Sequence, residues 1–261
     1  MSGFRGGLNE SRAERLASYG FATLALAYFG CAKLPVCLQE IPLEYCEKAI
    51  DCAAAHASID PNRIALWGGS RGAELALLLG SIIPSRIRAI VATVPSSAIY
   101  GSIQSETPAW TYRGAPLGPN APFPKLHLNT QVGQKPESAL ALTPYFLEGM
   151  NDRAAFAASL IPVENIQCPL LLVSGEDDQM WPSSIFAGQI AERLRAKGSS
   201  IPCAHVSYPR AGHAISSTGD VVQFHPVVNI WLAFGGTPRD NALAQADSWE
   251  KTVHFLRSWI C

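Results

Sequence analysis

Gly68, Gly69, Ser70, Arg71 and Gly72 form a Gly-x-Ser-x-Gly sequence set directly between an apolar strand-like run and a helix-forming one. Ile64, Ala65, Leu66 and Trp67 read as a buried strand, and Ala73, Leu75, Ala76, Leu77, Leu78 and Leu79 supply the helix. A junction this tight needs small neighbours. Glycines two before and two after the serine let the backbone turn without a Cβ clash, which lifts the hydroxyl to the carboxyl end of a sheet. A serine in that place also suits a plain helix N-cap. The flanking glycines and the partners downstream favour the sharper role, with Ser70 as a nucleophile on a strand-to-helix elbow.

The rest of the chain fits an α/β fold with a mostly parallel sheet flanked by helices. The run from Gly20 to Phe29 is almost continuously apolar, as expected of a strand covered on both faces. Helices are expected over Glu10 to Tyr19 and Leu43 to Ala55, the latter with Leu43, Cys46, Ile50 and Ala54 at helical spacing. Further buried strands are expected at Ile87 to Val94, Pro169 to Ser174 and Ala204 to Tyr208, and helices at Ser184 to Lys197 and Ala242 to Trp259. This alternation is that of a doubly wound or hydrolase-type sheet. Residues 96–140 break the rhythm, being rich in proline, glycine and asparagine, and are read as an insertion placed to act as a lid.

At 261 residues, 48% of them hydrophobic, the chain suffices for one large core, so residues 1–261 are expected to form a single domain. Its 20 lysines and arginines against 21 acids, with no block of like charge, give no electrostatic case for nucleic acid or an anionic membrane surface. The expected partner is a small molecule, and nothing in the sequence fixes an oligomeric state. Seven cysteines form no Cys-x-x-Cys pair, and an odd count suits reduced thiols inside a cell rather than a disulfide framework or a cysteine nucleophile. No run of about 18 apolar residues is present to span a bilayer, and Met1 to Glu10 lacks an apolar stretch of signal-peptide length. Cytoplasmic placement is the expectation. The final Ser258-Trp259-Ile260-Cys261 is not a Ser-Lys-Leu type address, and peroxisome and mitochondrion stay open.

A serine nucleophile needs a base and an acid to orient that base, and hydrolases with such an elbow deliver them in the order serine, acid, histidine. Leu170 to Val173 run into Ser174, Gly175, Glu176, Asp177 and Asp178, which places carboxylates at the edge of the sheet where ligands bind. Val206 to Pro209 lead into Arg210, Ala211, Gly212 and His213, and only this histidine of the six follows a late strand with a glycine before it. Asp177 and Asp178 both satisfy the chemistry; Asp178 is the choice, with Glu176 and Asp177 as turn residues. For the oxyanion, the Arg71 N–H is one expected donor, and the loop Gly3, Phe4, Arg5, Gly6, Gly7 offers the second at Phe4. No metal-ligand spacing, dinucleotide fingerprint or phosphate-binding loop is present, so covalent acyl transfer without metal or cofactor is expected.

Taken together, these residues resemble the carboxyl-terminal catalytic domain of the acyl-CoA thioesterase and bile acid-CoA:amino acid N-acyltransferase family. The likeness includes the glycine-rich opening with Leu8, Arg12 and Ala13, Leu43-Glu44-Tyr45, the elbow with Gly72, Glu74 and Leu75, and Ile161-Pro162-Val163-Glu164. It continues through Gly175 to Asp178, Gly212-His213, Gly235-Gly236-Thr237-Pro238 and Ala244 to Trp249. The resemblance implies an α/β-hydrolase fold, a Ser70, Asp178 and His213 triad, and hydrolysis of a fatty acyl-CoA to the free acid and coenzyme A, the latter being part of the substrate. Acyltransferase members carry cysteine at the nucleophile, so serine favours water as acceptor; N-acyl transfer and a catalytically silent member are the alternatives. The family pattern also has an amino-terminal β-sandwich and the first sheet strands ahead of the glycine-rich loop, which these residues do not include. Arg71 stands where lysine is commoner, a mild change if only its backbone N–H is used. Asn241 stands where histidine is usual, and no role is carried to it.

Overall fold

The computed structural model describes residues 1–102, 107–123, 133–217, 219, 221–227 and 230–261. Along the chain run α1 (Glu10–Ala17), β1 (Ile41–Pro42), α2 (Leu43–Ala54), β2 (Ala65–Gly69), α3 (Arg71–Ile82), β3 (Ala89–Thr93), β4 (Trp110–Tyr112) and β5 (Ala115–Pro116). They are followed by α4 (Thr143–Gly149), α5 (Arg153–Ala158), β6 (Leu170–Gly175), α6 (Ser183–Ala196), β7 (Cys203–Tyr208), β8 (Phe224–Val227), β9 (Ile230–Ala233) and α7 (Pro238–Ile260).

The central sheet has the order β2-β3-β6-β7 and is parallel throughout, with Trp67 opposite Val91, Val91 opposite Leu171 and Leu171 opposite Ala204. Side chains alternate across it. Ile90, Ala92, Leu170 and Leu172 pack with Leu75 and Leu78 of α3 and with Ala187, Ile190 and Leu194 of α6. Val91, Leu171 and Val173 point the other way, to Ala244 and Leu256 of α7, with Leu16 of α1 packed alongside. Every residue of β3 and β6 is buried, which explains why both read as unbroken apolar runs. Helix α3 is covered on all sides and is therefore apolar around its circumference.

Two expectations are corrected. Residues 21–28 form no strand. Among the described residues no neighbouring strand offers them a ladder, and Leu24 is 60% exposed. An apolar run becomes a strand only when a second segment satisfies its N–H and C=O groups. The stretch 96–140 is likewise not irregular throughout. Trp110 is fully buried; β4 pairs in parallel with β1 and antiparallel with β5. The remainder of the expected lid, residues 103–106 and 124–132, lies outside the described residues. The β8-β9 hairpin and helices α4 and α5 were not foreseen, being short and without sustained periodicity.

Candidate active site

The elbow turns on the backbone of Ser70, at φ 57° and ψ −125°. A positive φ in a residue with a side chain costs on the order of 1–3 kcal/mol and persists only where surroundings impose it. Here Ser70 N–H donates to Thr93 O (2.9 Å), and α3 begins at once as Ala73 and Glu74 N–H donate to Ser70 O. The flanking glycines are sterically required. A Cβ on Gly68 would lie 1.9 Å from Gly72 O, and one on Gly72 would lie 2.5 Å from Met1 O and 2.6 Å from Ser2 O.

The structure brings Ser70, His213 and Asp178 into one hydrogen-bonded line. His213 Nε2 is 2.9 Å from Ser70 Oγ, and His213 Nδ1 is 2.9 and 3.0 Å from the two Asp178 oxygens. With Nδ1–H donating to the carboxylate, Nε2 is left to accept from the serine hydroxyl. Each of the three residues is at least nine-tenths buried. Asp178 Oδ1 also accepts from Met180 N–H (3.0 Å) and Trp181 N–H (3.3 Å), which fixes its direction. The imidazole makes T-shaped contacts with Trp181 and Phe234, with ring centres at 5.8 and 5.6 Å.

Asp177, one residue earlier, faces elsewhere: its Oδ2 accepts from Gly236 N–H (2.7 Å) and its Oδ1 from Gln179 Nε2 (3.2 Å). Glu176 accepts from Ser207 Oγ (3.0 Å). Phe4 sits in a turn closed by Gly6 N–H donating to Gly3 O (3.1 Å). That turn lies beside Ser70, since a Cβ on Gly3 would come within 3.1 Å of Ser70 Cβ. Arg71 is the first residue of α3, and its N–H belongs to the helix's unpaired first turn. Phe4, Ser70 and His213 line one cavity of ≈ 290 Å³.

Three side chains around this line were not assigned from the sequence. The Arg71 guanidinium is used, not only its backbone: Nη1 pairs with Glu74 Oε2 at 2.7 Å and Nη2 donates to Tyr100 O at 2.6 Å. Glu74 Oε1 accepts from Trp110 Nε1 at 2.6 Å. This fully buried knot fastens the first turn of α3 to the segment that begins the insertion. The planar fork of arginine presents separate N–H groups to the carboxylate and the carbonyl in fixed directions, which the single ammonium of lysine does not. An acid within an otherwise apolar helix, three residues after a cation, was the signal available for the pair. Asn241, buried in α7, accepts from Gly212 N–H (2.8 Å) and donates to Gly235 O (3.2 Å), bracing the residue before His213.

Burial pushes the Glu74 carboxyl up to about 7, with Arg71 and Trp110 pulling in the opposite direction. A raised acid favours the fold while protonated. Its contribution is fully present below the free value of 4.5 and is lost as pH rises through about 7. Urea unfolding should therefore show stability falling by about 1–3 kcal/mol between pH 4.5 and 7. Glu74→Gln should flatten that slope, and an equal slope in the variant would remove Glu74 as its source.

A parallel sheet carrying a serine on a positive-φ elbow, with histidine and aspartate delivered from later loops, defines the α/β-hydrolase fold. The solved structure of DcsB in complex with its substrate analogue has the same fold, with a TM-score of 0.57 over 99% of this chain and 89% of that one, at 17% identity. More specifically, the chain belongs to the family described as BAAT / acyl-CoA thioester hydrolase C terminal, whose profile matches residues 41–260. It is 32% identical to acyl-coenzyme A thioesterase 2, mitochondrial, of Mus musculus, across 100% of this chain and 54% of that protein. Acyl-coenzyme A thioesterase 1 of Homo sapiens is likewise 32% identical across 100% of this chain and 59% of the relative. The same figures hold for acyl-coenzyme A amino acid N-acyltransferase 1 of Mus musculus. The chain thus spans a little over half the length of the curated relatives it matches. Among the described residues no helix is long and apolar enough to cross a membrane.

Proposed function

We propose that this chain hydrolyses acyl-CoA thioesters through Ser70, His213 and Asp178. The observation that carries the reading is the buried Ser70–His213–Asp178 line in a member of this family. Ser70 Oγ attacks the thioester carbonyl while its proton passes to His213 Nε2, and the Asp178 carboxylate stabilises the resulting imidazolium. Negative charge on the former carbonyl oxygen is met by the Arg71 N–H and a donor of the Phe4 turn. The C–S bond then breaks, His213 returns the proton to the leaving thiolate, and an acyl-serine remains. Water, deprotonated by the same imidazole, attacks that ester; the acid leaves and Ser70 regains its proton. None of these steps draws on a metal or cofactor. An amine in place of water would give an amide, as the name of the N-acyltransferase relative describes for that protein.

The test is release of free coenzyme A from acyl-CoAs of short to long chain, with products separated in the presence and absence of glycine and taurine. Free acid should match the thiol released, and the amines should leave that ratio unchanged. Amide in excess of acid would transfer the assignment to N-acylation, and no release from folded protein would leave a silent member of the family.

A further inference from the structure

Among the described residues that line the Ser70 cavity, the ionisable side chains other than His213 are two arginines, Arg5 and Arg12, and none is an acid. That is not the character of the chain, whose net charge is −1. Arg12 is the unusual one. It is 5% exposed, its guanidinium lies 4.7 Å from the centre of the Trp67 ring, and its Nη2 donates to Ser216 O. Its Nη1 is buried with no hydrogen-bond partner, and no carboxylate stands within ion-pair distance among the described residues. Burial lowers its pKa to about 10, so it stays cationic at neutral pH. A buried charge without a counter-ion is costly, and an anion seated beside it would offset that cost.

The charge is close to the chemistry. Arg12 Nη2 is 3.4 Å from where a Cβ of Gly69 would lie, one residue before Ser70. Asn9 and Ser11, from the same N-terminal turn of α1, line the same wall, and Asn9 makes no side-chain cap bond there. The positive end of that helix therefore adds to the field of the guanidinium. Ser216 and Ser217 line the cavity too and bring further polar groups to it.

We infer that Arg12 binds an anionic group of the substrate, a carboxylate or a phosphate, inside the cavity that holds Ser70. The inference rests on the hydrolase reading above and adds to it a charge requirement on the substrate. Two sources supply such a group: a carboxylate at the far end of a short acyl chain, or a phosphate of the thiol leaving group.

Three substrates separate them: p-nitrophenyl butyrate, which carries no charge; mono-p-nitrophenyl glutarate, charged on the acyl side; and butyryl-CoA, charged on the leaving group. For Arg12→Met, KM of one charged substrate should rise at least about tenfold more than that of the neutral ester, and Arg12→Lys should recover part of the difference. A rise confined to the glutarate ester assigns the acyl carboxylate; one confined to butyryl-CoA assigns a phosphate. Equal losses on all three, in kcat, would mean that Arg12 only braces Ser216, and would overturn the inference. Absence of Ser70-dependent turnover on every substrate would be a failure of the hydrolase reading. The subsite is tested without turnover by melting Ser70→Ala protein with glutarate or inorganic pyrophosphate. A rise in Tm with either supports the subsite, and no rise with both overturns it.

Discussion

On the proposed mechanism, Ser70→Ala should lower acyl-CoA turnover by about 10⁴-fold or more and leave the protein folded. The loss is large because the hydroxyl is the atom that bonds to the acyl group, and His213 then has no proton to move. The structural cost is small. Alanine occupies the elbow at the same φ of 57° that serine already tolerates, and the substitution removes one hydrogen bond, Ser70 Oγ to His213 Nε2. A bond of that kind contributes about 1 kcal/mol, so Tm should move by only a few degrees. His213→Ala should fall to a similar rate, and the double variant should be no slower than either single one, because the two side chains act as one unit. Steady-state thiol release measures the rates, and a fluorophosphonate probe gives a second readout by labelling the parent and sparing Ser70→Ala. Turnover retained in Ser70→Ala would falsify the mechanism.

Gly68→Ala should yield little soluble protein, or protein destabilised by at least about 4 kcal/mol. The added methyl would stand 1.9 Å from Gly72 O, 2.2 Å from Gly72 C and 2.6 Å from Ala73 N. All three are backbone atoms of the turn and the first residues of α3, so no side chain can swing aside to relieve the overlap. Moving them would separate Ser70 N–H from Thr93 O and disturb β2 where Gly68 lies opposite Ala92. Gly188→Ala is the control for position: a Cβ on Gly188, within α6, meets nothing inside 4 Å. Gly188→Ala should be neutral or stabilise by up to about 1 kcal/mol through helix propensity. Soluble yield and urea midpoints distinguish the two variants, and equal stability would exclude the elbow geometry described here.

What the sequence disclosed follows a physical divide. Strands β3 and β6 and helix α3 were legible because burial on both faces, or all round, leaves continuous apolar runs flanked by turn residues. Residues 21–28 carry the same local signature and yet form no strand, because pairing depends on a partner elsewhere in the chain. At Asp177 and Asp178 side-chain chemistry alone identified the loop and left both acids open, and the choice of Asp178 rested on the family resemblance. The structure separates them by direction alone, one carboxylate toward Gly236 N–H and the other toward His213. Asn241 left no local trace, since its partners Gly212 and Gly235 come from other turns. For Arg71, reading the backbone N–H alone missed the guanidinium, whose carbonyl partner at Tyr100 is 29 residues away.

On the ribosome, α3 emerges well before the groups that settle its buried charges. Arg71 and Glu74 can meet within one turn, but Tyr100 N–H comes 26 residues after Glu74 and Trp110 Nε1 comes 36 after it. His213, the base of the proposed mechanism, lies 143 residues beyond Ser70. Synthesis runs at about 5–20 residues per second, so the hydroxyl waits many seconds without its base. On the proposed mechanism, a nascent chain would therefore present an inert serine to any thioester it meets until His213 has been made and has packed against Ser70.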